Sequence, residues 1–138
     1  MKKKRSANAI MAVLFQRDLI SEALCDAKHV EISAQLCALK SGDGTDATFD
    51  KLADMVNIAA HRTRNGDFAD AIPVIEKAQT ALRKILARAH VEKRWGATAQ
   101  ELRALDEMLA NYIVIMRTST HLEMQRAGRE AYSPYAKN

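Results

Sequence analysis

The chain has 138 residues, of which 48% are apolar and 28% charged, and carries a formal net charge of +4. That balance excludes disorder, and a domain of this length buries roughly 68% of the surface its unfolded chain exposes, enough for a core of its own. Only five Gly and two Pro interrupt a composition rich in Ala, Leu, Ile and Met, so helix is favoured throughout and an all-α fold is expected.

The charge is unevenly spread. Residues 1–17 hold five cations and no acids, residues 18–82 eleven acids against six cations, and residues 83–138 ten cations against six acids. Lys2, Lys3, Lys4 and Arg5 lead into the apolar run Ala9–Phe15, which imitates a secretory signal. The run is short, however, and Gln16-Arg17-Asp18 follows where a small-residue cleavage site belongs. No stretch approaches ~20 apolar residues, so no membrane partner is expected. Cys25 and Cys37, on one helix, stand about 18 Å apart along its axis and cannot bridge each other. A cytoplasmic location is expected.

Residues 1–18 read as a basic and apolar arm, helical or extended, ahead of a bundle spanning 19–126. The first helix, about 19–40, places Ile20, Leu24, Ala27, Ala34 and Cys37 or Ala38 on its apolar stripe, and Ser41-Gly42-Asp43-Gly44 ends it. The second, about 46–64, starts at Asp46 or Thr48 as N-cap, buries Phe49, Leu52, Val56 and Ala59, and stops before Gly66. The third, about 70–94, has Pro73 in its first turn, where no intrahelical N–H is required. Thr98-Ala99-Gln100-Glu101 opens the fourth, about 98–126, as a capping box. Residues 127–138 form a flexible tail.

The clearest pattern flanks Arg94-Trp95-Gly96-Ala97-Thr98. Upstream, Ile75, Ala78, Leu82, Ile85 and Ala89 step by three and four; downstream, Leu102, Leu105, Leu109, Tyr112 and Met116 do the same. Each set lines one side of a helix, and the short break folds the two into an αα-hairpin. Four helices with short connections give an antiparallel, up-down-up-down four-helix bundle with an N-terminal basic arm and a short C-terminal tail. The start of the first helix and the ends of the second and fourth then share a pole, gathering Lys2 to Arg5, Arg62, Arg64, Arg126 and Arg129. Asp67, Asp70, Glu123 and Glu130 partly neutralise them, and dipole complementation plus solvation accounts for this pole more simply than a binding surface.

No catalytic set converges. Asp46, Asp50 and Asp54 line one helix face, but the Glu-x-x-His pairs of a dinuclear carboxylate bundle do not occur, so a solvated face outweighs a metal site. Cys25 and His29 are one turn apart without a second ligand pair, and His121 after Thr118-Ser119-Thr120 lacks an orienting acid. Gly42-x-Gly44 lacks the residues that complete a phosphate loop, so no cofactor is expected. Two surfaces stand out instead. Tyr112-Ile113-Val114-Ile115-Met116 is apolar on every side, which means deep burial or a partner surface; Met108, Tyr112, Ile113, Ile115 and Met116 are the candidate seam of a homo-oligomer or a protein partner. Arg83, Lys84, Arg88, Lys93 and Arg94 beside Trp95, with Lys2, Lys3, Lys4 and Arg5, form the candidate nucleic-acid contact, against the plainer reading of a solvated rim around a core-closing Trp.

Four blocks are recognisable as a set: Leu52-Ala53-Asp54-Met55-Val56-Asn57-Ile58-Ala59, Ala78-Gln79-Thr80-Ala81-Leu82, Arg94-Trp95-Gly96 and Glu101-Leu102-Arg103-Ala104-Leu105. Over roughly residues 34–110 the chain resembles a group of small uncharacterised helical proteins from bacterial prophage-like and plasmid-like regions. The resemblance implies a mobile-element setting and no activity. The residues themselves point first to a non-enzymatic, self-associating interaction module, accessory or regulatory in role, and second to a nucleic-acid-binding accessory protein. Asn57 and Gln79, polar members of apolar stretches, suit a buried cross-helix hydrogen bond or a partner contact.

Overall fold

The computed structural model of the chain describes residues 18–64 and 66–132. The expected basic arm up to residue 17, with Lys2, Lys3, Lys4 and Arg5, and residues 133–138 of the expected tail lie outside the described residues.

Helix α1 (Glu22–Ser41) starts at Ser21, whose hydroxyl accepts the Leu24 N–H at 3.2 Å. It stops at Gly42, whose φ of 77° is open to glycine at no steric cost; the Gly42 and Asp43 amides donate back to Leu39 and Ala38. Helix α2 (Asp46–Arg62) is capped by Thr45, one residue before the expected Asp46, because Thr45 and Thr48 satisfy each other's backbone groups. Asp46 is thereby left free for another partner. A 3-10 turn (Ala69–Ala71) leads into α3 (Ile72–Glu92), with Pro73 in its first turn as expected. Lys93, with φ 59°, ends α3.

The connection 93–98 separates α3 from α4 (Ala99–Arg117), which opens with the expected Thr98/Glu101 capping box, and the two helices pack together. The expected fourth helix does not run on to 126. It breaks at Thr118-Ser119-Thr120, and α5 (His121–Ala131) follows, reaching past the expected start of the tail at 127. Three consecutive hydroxyl residues cause the break. The Thr118 and Ser119 hydroxyls donate to the Val114 and Ile115 carbonyls at 2.7 and 2.6 Å, while Thr120 and Glu123 form a second capping box. The described chain is therefore all-helical with five α-helices and no strand, only isolated bridges at Leu19/Thr120 and Gly44/Trp95.

Helix α1 packs on α2 and α4, α3 packs on the same two, α2 and α4 also touch, and α5 lies back against α2. Leu52, Met55 and Val56 of α2, Ile85 of α3, and Leu105, Met108 and Leu109 of α4 are sealed from solvent at the centre. The stripes read in α3 and α4 face this core, with Ala89 and Leu102 at its margin.

In α1 the reading fails for most of its stripe, although Ile20, just ahead of the helix, is buried and Ala38 is half-buried. Cys25, Ile32, Leu36 and Leu39 are buried, whereas Leu24, Ala27, Ala34 and Cys37, assigned to the core stripe, are exposed. This helix is apolar on two sides. The side with larger side chains is buried, because hydrophobic stabilisation scales with apolar area removed from water.

Candidate functional surfaces

Met108, Tyr112, Ile113, Ile115 and Met116, the expected partner seam, are all buried inside the chain itself. This corrects the expectation, and the cause is plain: α4 contacts α1, α2 and α3, so every side of it except the one bearing Arg103, Asp106, Ala110 and Val114 meets another helix. Val114 alone in that run is open, at 53% exposure. Burial pushes the Tyr112 phenol up to about 12, with the charges of Asp54 and Glu31 adding to it.

At the end of the helix array where α1 meets α2 and α3 meets α4, Trp95 closes the core. Its ring stacks on Phe49 with centroids 4.8 Å apart, and its indole N–H donates to Asp46 Oδ1 at 2.7 Å. Gly44 bridges to Trp95, and a Cβ there would stand 2.9 Å from Trp95 Cβ. A groove of about 510 Å³ opens beside the ring, with Asp46 and Asp50 on one wall and His90, Lys93 and Arg94 on the other.

The expected basic rim divides here. Arg83, Lys84, Lys93 and Arg94 are exposed, with Arg94 Nε 3.5 Å from Glu92. Arg88 is committed elsewhere, which corrects its place among the nucleic-acid contacts. Its guanidinium donates to both Glu101 oxygens at 3.0 and 2.7 Å and to the Gly96 carbonyl at 3.1 Å. Burial works against the Glu101 charge, but the hydrogen bonds from Arg88 and Thr98 and the Arg88 charge outweigh it and hold the carboxyl below the usual carboxylate value. The same hydrogen bonds raise the Arg88 guanidinium further.

At the opposite end the expected pole brings Arg62, Asp67 and Glu123 together in a comparable tie, whose individual contacts the sequence did not state. Arg62, 8% exposed, donates from Nε to Ser119 Oγ at 3.0 Å, from Nη2 to Glu123 Oε2 at 2.8 Å and from Nη1 to Asp67 Oδ2 at 3.2 Å. Its guanidinium carbon lies 5.1 Å from the Phe68 ring centroid. The backbone of Asp18 and Ile20 pairs with Ser119 and His121 alongside it. This end therefore gathers the start of α1, the end of α2 and the α4–α5 joint around a largely neutralised arginine. The Thr120-x-x-Glu123 spacing, identical to Thr98-x-x-Glu101, was the available sequence signal.

Among the described residues no three His, Cys, Asp or Glu side chains converge as metal ligands, and no helix is long and apolar enough to cross a membrane. Asn57 is exposed rather than a buried cross-helix contact, and Gln79 is half-buried.

Exposed apolar residues remain on several helices, Ile72, Leu86 and Val91 of α3 and Val114 of α4 among them, and α1 carries a strip of them. Leu24 and Val30 are 45% and 67% exposed, and Ala23, Ala27, Ala34 and Cys37 are exposed with them. Comparison with known proteins finds no family model that matches the chain, no similar curated protein and no similar solved structure.

Proposed function

We propose that this chain is a non-enzymatic helical interaction module that self-associates in the cytoplasm, as an accessory or regulatory protein of a mobile element. Its first four helices are read as an up-down-up-down bundle to which α5 adds a return leg. The observation that carries the reading is the outward side of α1, where Leu24, Ala27, Val30 and Ala34 meet water although this helix already buries Ile32, Leu36 and Leu39. With Met108 to Met116 spent on the core, self-association moves from the fourth helix to the first. The mobile-element role rests on the four sequence blocks alone. Sedimentation over a wide concentration range tests the reading: a mass that rises to a dimer or beyond is expected, and a strict monomer discards it.

A second reading, nucleic-acid binding, is favoured by one observation: Arg83, Lys84, Lys93 and Arg94 are exposed along the C-terminal half of α3, and Lys93 and Arg94 line a groove with the half-exposed Trp95. Under it, a mobility shift weakens steeply with salt and with Lys84→Glu/Arg94→Glu, and deleting Lys2 to Arg5 lowers the salt slope. Arg88 is unsuitable for that test because its removal strands Glu101. Absence of any shift at low salt ends this reading.

A further inference from the structure

At 100° per residue, Ala23, Ala27, Val30, Ala34 and Cys37 fall within a narrow arc of α1, directly opposite the side that carries Ile32 and Leu36 into the core. Polar residues flank this spine instead of occupying it: Asp26, Ser33 and Lys40 on one side, Glu31 on the other. The outward sides of α3 and α4 also expose Leu86, Val91 and Val114, but charges such as Lys77, Lys84, Asp106 and Glu107 are interspersed with them, whereas the α1 spine runs from Ala23 to Cys37 without a charge. The spine also steps four, three, four, three. A strict seven-residue repeat is the period of a helix pair that winds around a partner helix, and small side chains let the two backbones approach closely.

We infer that a second copy of this chain docks antiparallel on this face, α1 against the partner's α1, with Val30 on the partner's Ala34 and Asp26 beside the partner's Lys40. This rests on the self-association reading and adds its surface, orientation and register. Charge complementarity selects the orientation. Antiparallel pairing about residue 32 stacks the whole spine, Ala27 against the partner's Cys37 and Val30 against the partner's Ala34. Two-fold symmetry then makes each Asp26–Lys40 contact twice. Parallel pairing would instead set Asp26 against the partner's Glu31, also twice. The antiparallel register brings Glu31 towards its own symmetry mate, but each Glu31 carries its own cations, Lys28 at 3.1 Å and Lys51 at 3.6 Å. One helix pair buries less than a full-sized interface, so the dimer comes apart on dilution.

Disulfide trapping in the full chain tests this. Under mild oxidation, Ala27→Cys with Cys37 retained is expected to cross-link as a dimer. The unmodified chain is expected not to, because antiparallel pairing separates the two Cys37 residues by about 15 Å along the axis. Val30→Glu, at a position 67% exposed, should leave the helical circular dichroism unchanged and weaken dimerisation at least tenfold. Lys40→Asp should weaken it, and adding Asp26→Lys should restore it. Cross-linking of the unmodified chain through Cys37 overturns the orientation, and a dimer indifferent to Val30→Glu overturns the surface; in both cases self-association stands. A monomer at every concentration, with this face serving a different protein, overturns both.

Discussion

At the Trp95 end a partly exposed Arg88, 30% open, meets Glu101, 7% open; at the other end Arg62, 8% open, meets Glu123, 43% open. Both acids are the third residue of a capping box, so each closes a helix start and ties it to an arginine from another helix. What differs is which charge is buried. At one end the buried group is a carboxylate with Arg88 as its ion-pair partner, and at the other it is a guanidinium shared among Ser119, Asp67 and Glu123. The buried charge decides the energetics, because removing a partner costs most when an uncompensated ion remains in low dielectric. Redundancy decides the rest: Arg62 keeps two partners when one is lost, and Glu101 keeps only the Thr98 amide.

The largest effect is therefore expected from Arg88→Met, which strands Glu101 and should destabilise the fold by about 3 kcal/mol in urea unfolding. A loss no larger than that of an exposed ion pair would break the contrast between the two ends. Gly44→Ala comes next, at about 2 kcal/mol, because the new methyl lies 2.9 Å from Trp95 Cβ and 3.1 Å from Leu39 Cδ2. Fluorescence of Trp95, the chain's one tryptophan, should shift with it.

Glu123→Gln at the other end should cost about 1 kcal/mol, since Ser119 and Asp67 still hold Arg62 and Gln keeps part of the cap. A cost equal to that of Arg88→Met would show that redundancy counts for nothing here. The smallest effect is acid sensitivity. The Glu101 carboxyl is held below its ordinary value, so its contribution is complete above that value and is lost as pH falls through the folded one. Acid unfolding followed at Trp95 should show that loss, and Glu101→Gln should flatten it.

The inverted pairs also show what pattern reading captures. Thr98-x-x-Glu101 was legible because a capping box is a local device, its donors and acceptors three residues apart. That Glu101 would recruit Arg88 from thirteen residues upstream depends on how α3 and α4 meet, and no spacing in either helix states it. The break after α4 was available in the same local language, in three successive hydroxyl residues and a second capping box. It lost to the long apolar run before it, which gave no reason to end the helix.

Sequence by itself determined the all-helical character, the break around Trp95, the α3 and α4 core stripes and the caps at Gly42 and Thr98. These rest on backbone geometry and side-chain period, which act within a turn or two. Only the tertiary structure decided which side of α1 is buried, and that Met108 to Met116 are core rather than surface. It alone decided that Arg62 and Arg88 tie the two ends. Apolar period marks a face as fit for burial, but the helix that covers it comes from elsewhere in the chain, and competition for that cover is settled by area and neighbours.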